Sequence, residues 1–464
     1  MSDPVFDHLA AASVAEQEGR IDDATRILAE LGDAINNRPA GLHLAGIVAA
    51  RRQNYAAARH YMLAALDLAP SAGMVAEAVA LIHRNLAEVH RRLRCPADAV
   101  AAGRAALALM PDDPITLNNL GVAQFDAHDY NGAIASFDRA IALTPDAAAP
   151  HFGRGEVLLS LGDYDEGWKG YGWRFRLAGV PAPVPAELIA ASNARAWDGA
   201  AFDGTLLLAA DQGFGDVVQF SRLIPWAAAR CTRLLVAASP EILPVIAQFP
   251  MVAQVDADWA RIGAFDAWAT LSDLPAFAGV TADALPGETI PYLHADSARV
   301  ASWRARLDQL APTGLRRIGL AWAGRPTHPS DFARSMKLAE LAPLAALPGT
   351  AFVSLQKGEA QGEIGGYFGS APLINIGAEI VSYDDTMAVI AGLDLVVTVD
   401  TSVAHIAGAM GCPVWMLVAH RSDWRWGNGG GTTGWYPSMR IFRQNAPAAW
   451  DGPVEQVVST WLAM

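Results

Sequence analysis

Cysteine is scarce. The 464 residues hold three, Cys95, Cys231 and Cys412, far apart in the chain. No CxxC pair and no Cys/His ligand spacing appears, so neither a disulfide framework nor a zinc site is expected, and a reducing compartment fits. Positive charge is also short: 34 Lys and Arg stand against 48 Asp and Glu, a net charge of −14. Basic clusters are confined to "RRQNYAAARH" and "HRRLR", which read as solvated helix faces, so nucleic acid is not the expected partner. No apolar run approaches the ~20 residues needed to span a bilayer. The opening "MSDPVFDHLA" has neither the basic nor the apolar region of a signal peptide. These absences lead to the expectation of a soluble cytoplasmic protein. What is present, 52% apolar and 18% charged residues, has the balance of a globular protein. The length allows two or three domains.

The first third repeats. In "NNLGVAQFDAHDYNGAIASFDRAIALTPD", Gly121, Tyr130, Ala133 and Phe137 are followed 34 residues later by Gly155, Tyr164, Gly167 and Tyr171. The same shift backwards takes Ala140 and Pro145 to Ala106 and Pro111, and it relates Ile21, Ala24 and Leu31 to Tyr55, Ala58 and Ala65. Between Pro70 and Pro111 the interval is 41, so about seven residues are inserted near "SAGMVAE". This pattern resembles the tetratricopeptide repeat, a helix–turn–helix unit. Small residues such as Gly121 and Ala133 let paired helices approach, and the proline follows a helix it cannot continue. Four units and a partial fifth cover roughly residues 5–176. Such an array is either a docking groove for a peptide or protein, or a spacer or oligomerisation surface. Trp168, Tyr171, Trp173 and Phe175 cap it, and "VPAPVP" reads as a stiff extended linker. The repeat domain is placed at 1–178 and the linker at 179–197.

Beyond the linker, short apolar runs alternate with helical patterns, which predicts parallel sheets covered by helices. The series restarts near residue 313. Two Rossmann-like halves are therefore expected, 198–312 and 313–464, with ligands beyond the carboxyl ends of the strands. After "GTLLLAA" comes "DQGFGDVVQF". Gly213 and Gly215 allow a tight turn, and Asp216 is either a general base or a helix cap. After "RRIGLAWAG" comes "RPTHPSDFARSMKL", in which Gly324, Arg325, Arg334 and Ser335 lie on a loop suited to a pyrophosphate or exposed to solvent. After "AFVSLQ" come Lys357 and Glu359, fit for a phosphate or a ribose. After "DLVVTV" come Asp400, Thr401, Ser402 and His405, either a polar helix cap with a core histidine or half of a ligand site. "DAD" at Asp256–Asp258 is taken as a loop and not a metal site.

Together, "GDYDEGWKGYGWRFR", "DQGFGDVVQFSRLIP", "IGLAWAGRPTHPSDFARSMKL", "FVSLQKG", "DLVVTVDTSVAHIAGAMGCPVW" and "DWRWGNGGGTTGWYPSMRIFRQ" resemble the GT-B glycosyltransferases, especially bacterial tetratricopeptide-linked proteins related to heptosyltransferases and O-linked N-acetylglucosamine transferases. The resemblance spans about residues 164–444. It implies an α-solenoid followed by α/β halves with a nucleotide-sugar substrate between them, and no metal or other cofactor. By this resemblance Asp216 matches a general base, and Asp400, Thr401, Ser402 and His405 become donor residues. Arg334 would meet the leaving diphosphate, and Lys357 and Glu359 fall near a ribose-binding strand end. The chain departs from its relatives in reading "SDFARS" for "NDRNRS" and in its glycine-rich "RSDWRWGNGGGTTGWYP". Trp424, Trp426 and Trp435 are assigned to the acceptor side. The reading is a metal-independent inverting glycosyltransferase whose repeats present a protein acceptor. A non-catalytic scaffold with a degenerate transferase fold, or a transferase acting on a glycan or lipid-linked acceptor, are its alternatives.

Overall fold

The computed structural model describes residues 4–284, 290–312 and 314–464; residue 313, the expected start of the second α/β half, lies outside them. The chain forms two compact units, Met1–Val157 and Leu158–Met464.

The first unit is built of antiparallel helix pairs. They are α1 (Pro4–Gln17) with α2 (Ile21–Leu31), α3 (Pro39–Arg51) with α4 (Tyr55–Leu68), α5 (Ala76–Arg92) with α6 (Pro96–Leu109), and α7 (Pro114–Asp126) with α8 (Tyr130–Leu143). Helix α9 (Ala148–Leu161) runs across the division, and α10 (Tyr164–Tyr171) belongs to the second unit. The period written in the sequence is visible in the backbone. The turn within each pair passes through a positive φ, at Gly19, Gln53, Arg94, His128 and Gly162, spaced by 34, 41, 34 and 34 residues. The long interval is partly absorbed by α5, which has 17 residues where α3 and α7 have 13. Small residues do the job expected of them. A Cβ on Gly121 would lie 2.7 Å from the Phe137 ring, and one on Gly46 would lie 2.8 Å from Met62. Asn54 and Asp129 cap their helices by accepting from the N–H groups of Ala57 and Gly132, at 3.2 and 3.0 Å.

The second unit holds two parallel sheets among the described residues. The first contains β1 (Arg195–Ala196), β2 (Thr205–Ala209), β3 (Arg233–Ala237), β4 (Val252–Asp256) and β5 (Ala267–Thr270), in the order β1-β5-β2-β3-β4. The second contains β6 (Arg316–Ala321), β7 (Thr350–Ser354), β8 (Leu373–Asn375), β9 (Leu395–Val399), β10 (Val414–Val418) and β11 (Met439–Arg443), in the order β11-β10-β9-β6-β7-β8. Strands β7, β9 and β10 are buried along their whole length, which is why they read as unbroken apolar runs rather than alternating ones. Two expected helices come out differently. "PEILPVIAQF" is helical only over Leu243–Ile246, and "LAELAPLAAL" forms a 3-10 helix, Leu338–Ala346, with Pro343 inside it. In the second, Pro343 lacks an N–H inside the helix; in the first, Pro244 stands in the first turn, so the helix begins there rather than at Pro240. The segment read as an extended linker is also more structured. It carries the helix Ala186–Ser192 and edge strand β1, and it buries Val184 against Leu207, Leu235 and Phe265.

The residues just after α10 are locked into the first sheet. Arg174, only 2% exposed, donates to Thr270 Oγ1 at 2.7 Å and Asp273 Oδ1 at 2.5 Å, and its Nε lies 3.4 Å from Asp211 Oδ2. Burial pushes the Asp211 carboxyl up, and Arg174 and the Ser272 hydroxyl pull against that. Removing one member of a buried charge network leaves the others uncompensated. Arg174→Ala should therefore cost the second unit about 3–5 kcal/mol, read as a lower urea midpoint for its unfolding. A loss below 1 kcal/mol would show that the network is neutral to stability.

Candidate functional site

The carboxyl ends of β2 and β9 meet at a group of charges. The helix Phe214–Ser221 starts after β2, and Asp216 in its first turn accepts from the Gly213 N–H at 2.9 Å. Its other oxygen takes a guanidinium from the far sheet. Arg425 Nη2 pairs with Asp216 Oδ1, Nη1 lies 2.7 Å from Asp423 Oδ1, and Nε donates to the Gln219 amide oxygen. Arg425 is 7% exposed and packs over the Trp424 ring at 4.5 Å. Burial works against its charge, but Asp216 and Asp423 outweigh it and hold the pKa well above the ordinary value. Asp216 is thus a helix cap and one half of a buried ion pair at once.

Asp400 and His405 lie beside this pair. Thr401 occupies the N-cap of the helix Ser402–Ala409, and no side chain caps it; Thr401 Oγ1 is 3.2 Å from Thr398 Oγ1 instead. Ser402 accepts from the Tyr383 hydroxyl at 3.1 Å. His405 Nε2 is 3.9 Å from Asp400 Oδ1, and Nδ1 is 2.9 Å from the Tyr436 hydroxyl. Burial, then the charge of Asp423, pushes the Asp400 carboxyl up, with Arg334 and Arg425 opposing. Burial, reinforced by Arg425, Arg222 and Arg334, pushes His405 well below the usual imidazole range. His405 is therefore a neutral ring in the folded chain at neutral pH. It also explains Gly215: a Cβ there would lie 2.7 Å from the imidazole, so the close approach this glycine permits is to His405.

The loop after β6 supplies a cation. Ser335 Oγ accepts from the Gly324 N–H at 2.9 Å and donates to Asp331 Oδ1 at 2.7 Å. A Cβ on Gly324 would lie 2.9 Å from Arg334 Nη2 and 3.0 Å from Asp331 Oδ1. Arg334 Nε is buried without a hydrogen-bond partner among the described residues, and its nearest carboxylate oxygen, of Asp331, is 3.8 Å away. Arg325 lies 4.8 Å over the Phe214 ring, which meets Tyr383 edge-on at 5.6 Å.

Other expected residues are placed differently. Lys357 turns its ammonium to the carbonyls of Gly377 and Ile380, at 2.6 and 2.7 Å, and Glu359 is exposed. In the same motif the Gln356 amide oxygen accepts from the backbone N–H groups of Trp322 and Ala323, both at 2.9 Å. Trp424, Trp426 and Trp435 are buried rather than set on an open acceptor wall. Trp424 and Trp435 pack on Tyr164, with Trp424 also against Trp168, and Trp426 packs on His405. Asp258 caps a short helix through Ala260 N–H at 3.0 Å. Arg425 is the residue that reading the sequence missed. Its only signal was an arginine between two tryptophans, two residues after an aspartate.

Comparison with known proteins agrees with both ends of the chain. The tetratricopeptide repeat model matches residues 43–114 and 118–167. Residues 381–450 match glycosyltransferase family 9 (heptosyltransferase). That family 9 segment includes Asp400, His405 and Arg425. A curated relative, Protein FlbA of Caulobacter vibrioides, is 28% identical over 444 residues, covering 81% of this chain and 71% of FlbA. Among solved structures, E. coli ADP-heptose lps heptosyltransferase II has 17% identity and a TM-score of 0.41, covering 56% of this chain and 97% of that one. MamA from Desulfovibrio magneticus has 19% identity and a TM-score of 0.32, covering 38% and 94%.

The neutral state of His405 has a pH signature. The unfolded ring takes up a proton as pH falls through about 6.5, and the folded one does so only at lower pH. Stability is then complete above that value and declines below it. In urea titrations from about pH 7 to 5, His405→Gln should flatten the acid-side decline by up to about 1.4 kcal/mol per pH unit. An unchanged slope would contradict the burial of a neutral ring.

Proposed function

We propose that the chain is a metal-independent, inverting glycosyltransferase that uses a nucleotide-sugar. The observation that carries this is the convergence of Asp216, from the first sheet, with Arg425, Asp400 and His405 of the family 9 segment and the unpartnered Arg334 Nε. In this reading Asp216 takes the proton of an acceptor hydroxyl, and that oxygen attacks the anomeric carbon. The bond from the anomeric carbon to the diphosphate oxygen breaks, and its electron pair leaves on the diphosphate. Arg334, whose Nε has no hydrogen-bond partner among the described residues, meets that charge as a preorganised donor where negative charge develops. The uncapped first turn of the helix Ser402–Ala409 adds its N–H groups. Arg425 holds Asp216 in place and keeps its carboxylate from swinging toward solvent. Asp400 and neutral His405 are suited to hydrogen-bond sugar hydroxyls. No divalent cation is needed where arginines carry the positive charge. The repeats would dock a protein acceptor; a glycan or lipid-linked acceptor is the competing possibility.

Two measurements test the reading. A thermal-shift panel of UDP-, ADP-, GDP- and CMP-sugars should give a rise with at least one donor, because a ligand that binds only the folded state stabilises it. Silence across the panel favours a scaffold. With the responding donor, Asp216→Asn should keep the shift and lower the transfer rate by about 10²–10⁴, whereas Arg334→Ala should weaken both. Undiminished transfer by Asp216→Asn would remove it from the role of base.

A further inference from the structure

Asn54, Asp129 and Asp163 each cap the second helix of their repeat, whereas Arg20 and Cys95, at the same position, make no side-chain cap bond. In the α7–α8 turn, Gln124 reaches Asp129 Oδ2 at 3.3 Å, Asp129 caps α8, and Ser136 donates to the Gln124 amide oxygen at 2.6 Å. Asn54 caps α4 in the same way. One period back from the α7–α8 turn, in the α5–α6 turn, these positions are different. His90 stands for Gln124, Cys95 for Asp129, and Ala102 for Ser136. Cys95 is the N-cap of α6 and makes no side-chain cap bond. The capped pair has been exchanged for an imidazole and a thiol.

Each of these groups is left without its usual work. His90 is 8% exposed, and its Nδ1 is buried with no hydrogen-bond partner among the described residues. A buried polar atom left unpaired is destabilising unless a partner arrives. That nitrogen faces Asp98, whose Oδ2 is 3.9 Å away. Asp98 sits at the third position of α6, where an acidic side chain ordinarily reaches back to the N-cap N–H. Here the Cys95 N–H already donates to the His90 carbonyl at 2.9 Å, so the carboxylate is free. Cys95 Sγ has one weak contact, 3.5 Å to the Leu93 carbonyl. The imidazole nitrogen, the sulfur and a carboxylate oxygen all lie within 4.8 Å of one another.

We propose that the α5–α6 turn binds a divalent transition-metal ion of the zinc class, through His90 Nδ1, Cys95 Sγ and an Asp98 carboxylate oxygen. Nitrogen, thiolate and carboxylate are the donors such ions take, and tetrahedral ligands at those bond lengths sit roughly 3.3–3.7 Å apart. Asp98 is exposed and can close the remaining distance by a rotamer change. On binding, the Cys95 thiol releases its proton to solvent and the sulfur bonds the ion, while the ring keeps its proton on Nε2. Thiolate and carboxylate then balance the dication, and they outweigh the charge of Arg59, which reaches the ring. A fourth position is left for water. The ion would join the end of α5 to the start of α6, the task that the Gln124–Asp129 pair performs in the next repeat. This site stands independently of the transferase reading.

Cobalt titration of the reduced, metal-free full-length chain tests it. One equivalent should raise a thiolate-to-cobalt charge-transfer band, which zinc then abolishes. Cys95→Ser should remove the band, and Asp98→Asn should weaken cobalt binding at least tenfold. The double variant H90Q/C95D rebuilds the cap pair of the α7–α8 turn, so it should keep the helical circular dichroism and show no band. No band in the unaltered chain, or one that survives Cys95→Ser and so belongs to Cys231 or Cys412, overturns the proposal.

Discussion

A guanidinium taken out of water must be paid for, and the burial of Arg425 organises the candidate site. An unpaired buried cation costs several kcal/mol, so Arg425 is stable only where it finds acceptors on each edge. It finds Asp216, Asp423 and Gln219. Two of these come from the helix after β2 and one from the loop after β10. The cation therefore sets how the strand ends of the two sheets face each other. Lack of water shifts the proton affinities of both Asp400 and His405; the field of Arg425 adds to the shift at His405 and opposes the one at Asp400.

The parts of the structure that depend on local chain chemistry were legible in the sequence. The repeat period follows from small residues that must recur wherever helices touch. The parallel sheets follow from apolar runs of strand length between helical ones. The polar residues after β2, β6 and β9 could be found because strands end abruptly. What could not be read was partnership across long separations. Arg425 and Asp216 are 209 residues apart, and neither shows in its own neighbourhood that the other is its counter-ion. Trp424 and Trp435 looked like stacking surfaces because aromatic type does not reveal burial, and their faces are taken up by Tyr164 and by each other. The charge of Lys357 is conspicuous in a sequence, whereas the satisfaction of two backbone N–H groups by Gln356 is not.

The repeats also show how one geometric demand can be met by different chemistry. The turn inside each pair needs a left-handed residue and a group to tie it down. Glycine serves at Gly19 and Gly162, while Gln53, Arg94 and His128 hold the same conformation with side chains. Such residues carry a backbone strain of order 1 kcal/mol that neighbouring contacts must offset. Asn54 and Asp129 offset it with hydrogen bonds, and at Arg94 no side chain caps the helix that follows.

Arg174 and the aromatic residues of α10 bear on how the protein could be divided. By sequence α10 completes the last repeat, yet Trp168 donates to Val280 at 3.0 Å, Tyr164 accepts from Trp435 at 3.2 Å, and Arg174 neutralises Asp211 and Asp273. The proline-rich stretch is the obvious place to cut, but a fragment beginning there would bare tryptophan faces and strand two carboxylates. A recombination event joining this α/β unit to other repeats would have to carry the final half-repeat with it. The heritable module, in that sense, begins inside a helix pair.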